Sequence, residues 1–264
     1  MTMKLRIYQV DAFTDKIFSG NPAAVCPLEK WLSDDLLQKI AMENNLAETA
    51  FYVKKDNTYQ IKWFTPTVEV DLCGHATLAS AYVLYKFQNH TDNTINFYSH
   101  RSGNLTVTKQ DELLTLNFPT DVFESIPLSP ALMIGFTIKP IEAYKGKTDY
   151  MLVFENESQI KKLIPSFPEI SKLKARGVIV TAKGDHVDFV SRFFAPQSGI
   201  NEDPVTGSAH TTLTPYWARK LGKNELTATQ LSTRKGHLKC KYLNDRVEIS
   251  GHAKEYLIGE IVVE

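Results

Sequence analysis

Phe64-Thr65-Pro66, then Thr67-Val68-Glu69-Val70-Asp71-Leu72-Cys73, then Gly74-His75-Ala76-Thr77, is the stretch on which the fold turns, because the chain writes it twice. Phe194-Ala195-Pro196 is followed, a similar distance on, by Thr206-Gly207-Ser208-Ala209-His210. The two Phe-x-Pro copies start 130 residues apart, and Gly74 and Gly207 lie 133 apart, in a chain of 264. An offset near half the length predicts two similar halves, each with a strand, a turn and a helix that begins on small residues. If the halves face each other, two helix N-termini point into one cleft. Unpaired N–H groups and the helix dipole both favour negative charge there, so the arrangement suits a small anion.

Bulk properties bound the class. The length accommodates one large or two medium domains, each with its own core. Thirty basic and thirty acidic residues cancel, and no basic run is interleaved with aromatics. Nucleic acid and anionic membrane are therefore poor partners. The opening, Met1-Thr2-Met3-Lys4-Leu5-Arg6-Ile7-Tyr8-Gln9-Val10-Asp11, reads as a strand rather than as a signal segment, and no apolar run approaches a membrane span. Cys26, Cys73 and Cys240 are odd in number and match no zinc spacing. A soluble, reduced, cytoplasmic protein is expected.

Along the chain, β-branched or alternating runs predict strands at 4–13, 50–54, 59–64, 94–98, 105–109 and 113–118. Further strands are expected at 139–144, 149–154, 177–182, 187–194, 237–243, 246–250 and 255–263. Ser33, with Asp34 and Asp35 after it, opens a helix over 34–44. The repeated turns predict helices over 74–87 and 207–221. The first has apolar residues all round (Leu78, Ala79, Ala81, Tyr82, Val83, Leu84, Tyr85), which predicts a buried helix. The fold class expected is α+β, with two pseudo-symmetric domains, each a curved, barrel-like sheet around a central helix. The boundaries expected are 1–118, with 257–264 returning to that half, and 119–256.

Few residues offer chemistry. Glu48 sits where a helix ends and the apolar strand Thr49-Ala50-Phe51 begins, and partial desolvation there favours a general acid or base. His75 follows Gly74 at a helix start, where the dipole favours neutral imidazole. Asp203 precedes the second repeated turn, and Asp-Pro is also an ordinary turn pair. Ser208 and the N–H groups of Gly74, Ala76, Gly207 and Ala209 form the expected anion cradle. His100, His186, His237 and His252 make no ligand-like cluster, so no metal is expected.

Assembled in order, the motifs carry a resemblance. Val10-Asp11-x-Phe13, Gly20-Asn21-Pro22-Ala23-Ala24-Val25, Asn45-Leu46-x-Glu48-Thr49-Ala50-Phe51, Trp63-Phe64-Thr65-Pro66, Glu69 through Thr77, and Glu202-Asp203-Pro204-x-Thr206-Gly207-Ser208-Ala209 resemble the PhzF family of phenazine-biosynthesis-type isomerases. That family is related to diaminopimelate epimerase and proline racemase. The resemblance implies the two-domain fold with its active site in the cleft. It also implies a cofactor-free proton shift on a small carboxylate-bearing molecule, with Glu48 as acid–base residue and His75, Asp203 and Ser208 completing the site. A homodimer is open to it. Several family members carry a hydroxyl residue just before the glutamate, where this chain has Ala47.

Two rivals stand beside this reading. Related racemases use opposed thiols, one from each half, and Cys73 stands directly before Gly74-His75. Its partner would fall within residues 204–208, which contain no cysteine, so a packing role for Cys73 is expected. Alternatively, the same cleft could bind a small carboxylate without turning it over. Retention of Glu48, His75 and Asp203 together argues against that, since anion binding gains nothing from two carboxylates.

Overall fold

The computed structural model describes residues 2–264 as two compact units. The first comprises residues 2–117 with Ser250–Glu264, and the second is Phe118–Ile249. The return to the first unit thus begins seven residues earlier than the expected 257, at the last residues of a strand that runs out of the second unit.

In the first unit, β1 (Met3–Ala12) pairs with β2 (Asn21–Leu28), and α1 (Asp34–Asn44) carries the chain to β3 (Glu48–Lys55), parallel to β2. The hairpin partner β4 (Thr58–Phe64) follows, then the two-residue β5 (Glu69–Val70). Next, α2 (Gly74–Phe87) leads to β6 (Thr94–Ser99), parallel to β4. Antiparallel β7 (Gly103–Gln110) and β8 (Leu113–Pro119) complete the series. In the second unit, β9 (Glu124–Ile126) and the single turn α3 (Pro130–Met133) precede β10 (Glu142–Lys145). Antiparallel β11 (Asp149–Val153) connects through α4 (Glu157–Lys162) and α5 (Phe167–Ile170) to a parallel β12 (Gly177–Lys183). Then come antiparallel β13 (Phe189–Phe194), α6 (His210–Leu221), a parallel β14 (Glu225–Gln230) and antiparallel β15 (Gly236–Tyr242). β16 (Arg246–Gly251) leaves the second unit, and β17 (Ala253–Val263) pairs with β1 in the first.

The two series of pairings run alike. In each unit an antiparallel pair is followed by a helical crossover to a parallel strand, a hairpin, and a second helical crossover to a parallel strand. Phe64 closes β4 and Phe194 closes β13, each just before the crossover that carries the repeated turn.

The sheet of the first unit is covered on both faces. Ala24, Cys26 and Leu28 of β2 pack with Leu37, Ile40 and Ala41 of α1. The alternate residues Ala23 and Val25 are fully buried on the other face, where α2 packs against β1, β2 and β3. A strand covered on both sides reads as a continuous apolar run, as Ala23-Ala24-Val25-Cys26 does. Helix α2 also packs against β7 and β17, near the two ends of the strand series, so the sheet curves around it. This explains its nearly all-round burial, from His75 through Leu84 with only Tyr82 partly exposed. Each of Leu78, Val83 and Leu84, fully buried, contributes about 1.5–3 kcal/mol from lost apolar exposure. In the second unit α4 packs on β12 and β13 around a core of Leu152, Phe154, Ile160, Val178, Val180 and Phe194, and α6 packs on β14 and β15.

The helix expected over 207–221 starts three residues late. Residues 207–209 form a tight turn whose bonds run from His210 N–H to the Gly207 carbonyl and from Thr211 N–H to that of Ser208, at 3.0 and 3.1 Å. These three-residue spacings are those of a 3₁₀ turn, a common lead-in to an α-helix. Gly207, Ser208 and Ala209 therefore precede α6 rather than open it. No helix among the described residues is long and apolar enough to cross a membrane.

Candidate active site

Three segments of the first unit converge on His75. The first is the start of β2. Asp11 accepts a hydrogen bond from Phe18 N–H at 3.1 Å, which ties down the loop between β1 and β2. Gly20 ends that loop at φ +67°, and a Cβ there would lie 2.2 Å from the Ala12 carbonyl oxygen. Only glycine fits so close to backbone in that conformation. The next residue, Asn21, is fully buried, and its Nδ2 lies 3.2 Å from His75 Nδ1.

The second segment is the junction of α1 and β3. Asn45 ends the helix in the left-handed conformation (φ 49°), its N–H bonded to the Ala41 carbonyl. Glu48 then begins β3 in register with Ala23 of β2. Its side chain is only 13% exposed, and its Oε2 lies 3.2 Å from His75 Nε2.

The third is the start of α2. The preceding loop is clamped by Arg101, which reaches Glu69 Oε2 at 2.9 Å and Asp71 Oδ1 at 3.1 Å, and by the Ser102 hydroxyl on the Asp71 carbonyl. Cys73 is the N-cap residue but provides no side-chain cap. The first helical bond is Thr77 N–H to the Cys73 carbonyl at 3.1 Å, so the N–H groups of Gly74, His75 and Ala76 have no intrahelical acceptor.

His75 is buried, and that burial pushes its pKa down to about 3. At neutral pH the ring is uncharged, so its 3.2 Å contact with Glu48 sets a neutral imidazole against a carboxylate and is not a salt bridge. With the Asn21 amide donating to Nδ1, the remaining ring proton sits on Nε2, the nitrogen nearest the Glu48 carboxylate. Cys73 Sγ lies 3.5 Å from His75 Nδ1 and 4.0 Å from Nε2. Donor atoms of Glu48, Cys73 and His75 all fall within 4.8 Å of one another.

The second unit holds Asp203, Gly207, Ser208 and Ala209. Asp203 N–H donates to the Phe193 carbonyl at 3.1 Å, and its Oδ2 accepts from the Thr206 hydroxyl at 2.5 Å. Fully buried Gln230, the last residue of β14, organises this loop. Its Oε1 accepts from Thr206 N–H at 2.9 Å, and its Nε2 donates to the Asp203 carbonyl at 2.7 Å and to the Thr206 hydroxyl at 3.2 Å. Ser232 donates to the Pro204 carbonyl at 2.8 Å. Arg192 grips Glu202 with two hydrogen bonds, 2.8 and 3.0 Å. His210 Nδ1 lies 2.8 Å from the Thr206 carbonyl oxygen, and burial pushes this ring down to about 4.

The profile of the PhzC-PhzF family, described as phenazine biosynthesis-like protein, matches residues 10–258. The chain belongs to the PhzF family of isomerases. It is 49% identical over 259 residues to a protein of Pseudomonas aeruginosa named as an uncharacterized isomerase, covering 98% of this chain and 99% of the relative. The crystal structure of a PhzF-family phenazine biosynthesis protein from Enterococcus faecalis superposes with a TM-score of 0.96 at 48% identity, covering 98% and 99% of the two chains. A hydroxyproline epimerase from Agrobacterium vitis shares the fold, with a TM-score of 0.62 at 8% identity over 98% of this chain and 93% of the other.

Of the residues singled out in the sequence, the structure brings Glu48, His75, Gly74 and Ala76 together around one buried ring. It places Asp203, Gly207, Ser208 and Ala209 on one loop and turn of the second unit. Asn21, Thr206 and Gln230 were not anticipated as site residues. Asn21 reads as part of a Gly-Asn-Pro turn, and Gln230 lies in a strand that the apolar pattern does not reveal.

Proposed function

We propose that this PhzF-family isomerase shifts a proton within a small carboxylate-bearing metabolite, without a cofactor, using Glu48 as the single group that removes and returns it. The observation that carries this reading is the 3.2 Å contact between Glu48 and a histidine kept neutral by burial. A neutral ring beside the carboxylate leaves its charge uncancelled, so the group stays able to accept a proton. Asn21 positions His75, and His75 positions Glu48. One carboxylate can lift a proton from one carbon and return it to a neighbouring carbon on the same face, whereas inversion needs an acid on the opposite face.

The N–H groups at the start of α2 are assigned to the substrate's carboxylate, which suits their missing intrahelical acceptors. Within the second unit, Asp203, Ser208 and the N–H groups of Gly207 and Ala209 are assigned as polar recognition groups. Gln230 and Thr206 hold Asp203 in one orientation, as a recognition group requires.

A thermal-shift screen of small unsaturated or α-acidic carboxylates selects ligands, and each hit is then incubated with enzyme in D₂O. Mass spectrometry is expected to show solvent deuterium entering a hit together with a double-bond shift. Ligands that bind and stabilise the protein but never exchange a carbon-bound proton would reduce it to a carboxylate-binding protein.

A further inference from the structure

We propose that His210 is the positioning residue of the Asp203–Thr206 loop, its imidazole holding the Thr206 carbonyl so that Thr206 in turn holds Asp203. That Asp203 is a recognition group rests on the function proposed above, while the clamp itself does not.

The repeat shows what this position is for. Counted from the repeated glycines, Gly74 and Gly207, Thr77 and His210 occupy the same place. Thr77 donates its hydroxyl to the Cys73 carbonyl at 2.6 Å, and its N–H reaches the same oxygen at 3.1 Å. His210 Nδ1 lies 2.8 Å from the carbonyl oxygen of Thr206, the counterpart of Cys73. A side chain thus ties the helix start to the residue before the glycine in both units. The backbone differs between them. An α-helical N–H would reach four residues back to Thr206, but His210 N–H bonds to the Gly207 carbonyl at 3.0 Å instead. The ring takes the carbonyl that the helical N–H would take, and the tight turn at 207–209 leads into α6.

The tautomer follows from the partners. A carbonyl only accepts, so Nδ1 carries the ring proton. Nε2 has no hydrogen-bond partner among the described residues, so a second proton would have nothing to bond to. The ring is fully buried and packs on Phe189, centroids 5.8 Å apart, and Phe189 stacks on Trp217 at 5.9 Å. Packing fixes the imidazole, and the imidazole fixes Thr206. From there the bonds run outward. The Thr206 hydroxyl donates to Asp203, and its N–H donates to Gln230. His210 and Gln230 therefore grip the carbonyl and the N–H of one residue, and the side chain of that residue orients the carboxylate.

The test pairs His210→Asn, whose amide nitrogen falls where Nδ1 lies, with His210→Leu, similar in shape but without the donor. Circular dichroism confirms that each is folded. Nitrogen-15 NMR of the wild-type ring is expected to show the proton on Nδ1, and a proton on Nε2 overturns the clamp. In His210→Leu, hydrogen exchange at the Thr206 amide is expected to speed up by about tenfold, the order of one lost hydrogen bond. The carbon-13 titration of the Asp203 carboxyl should move to higher pH there, because a carboxylate that loses a hydroxyl donor is more easily protonated. His210→Asn is expected to restore both. If the Asn and Leu proteins exchange and titrate alike, His210 only fills space and the proposal falls. If His210→Leu fails to fold, the wild-type tautomer and His210→Asn measured against wild type decide. With a carboxylate that gains deuterium in the D₂O screen, KM is expected to be several-fold higher in His210→Leu than in His210→Asn, with kcat alike. An equal KM beside a displaced Asp203 titration leaves the clamp standing and overturns Asp203 as a recognition group instead.

Discussion

Glu48 and His75 form a residue pair whose meaning depends on charge. If the imidazole were protonated, the contact would be an ion pair and would hold Glu48 in a state too stable to accept a proton. Burial keeps it neutral instead, with its pKa pushed to about 3. That neutrality has a thermodynamic signature. Unfolded histidine binds a proton near pH 6.5, whereas buried His75 and His210 resist protonation until about 3 and 4. Between these values the unfolded chain holds more protons than the folded one, so stability falls as pH drops below about 6.5. The expected slope is about 1.4 kcal/mol per pH unit for each ring. Urea unfolding at pH 7.5, 6 and 5 checks this, with His75→Gln expected to lose one ring's share of the slope. An unchanged slope in that variant would mean that His75 titrates normally. Cys73 belongs to the same scale. Its thiol touches the ring, but no second thiol stands in residues 204–208 to complete a two-thiol mechanism. Cys73→Ser is expected to keep kcat within about tenfold of wild type, and a loss of several orders of magnitude in a folded protein would favour the racemase-like route.

At the scale of elements, what the sequence revealed depended on how local its cause was. Helix α1 was legible to the residue because its signals are its own. Ser33 accepts from Leu36 N–H, two acids follow, and Asn45 caps the far end. Helix α2 was equally clear, since its all-round apolar pattern has one explanation. The late start of α6 was not legible. It depends on the turn at 207–209 and on a Thr206 backbone held by Gln230, a partner 24 residues away. Strand β14 itself was missed because Glu225-Leu226-Thr227-Ala228-Thr229-Gln230 has only two apolar residues, although four of its six are buried. Gln230 makes the strand's importance testable. Gln230→Leu removes two donors and an acceptor and strands the buried Thr206 N–H, at a cost of about 1–3 kcal/mol for that group. Hydrogen exchange is expected to speed up at Thr206 and neighbouring amides, with weaker ligand binding than loss of kcat. Unchanged protection at Thr206 would show that Gln230 does not hold the loop.

For the whole molecule, the duplication read from Phe-x-Pro and the small-residue turns is matched by two units whose strands pair in the same series. The site reads differently in the two units. Around His75 the sequence named the carboxylate and the ring but not Asn21, whose role depends on a loop closing through Asp11 and Gly20. In the second unit it named Asp203 but not the Gln230 that fixes it. The chain belongs to the PhzF family of isomerases, and the central claim is that one carboxylate, Glu48, moves the proton. Glu48→Gln keeps the size of the side chain and its polar contacts, but it cannot carry a proton through the reaction. Solvent-deuterium incorporation into a screened ligand is the direct measurement. The variant is expected to bind that ligand with affinity near wild type while exchange slows by about 10²–10⁴-fold or more. Exchange at the wild-type rate in a folded Glu48→Gln protein would contradict the claim and leave Glu48 a structural partner of His75.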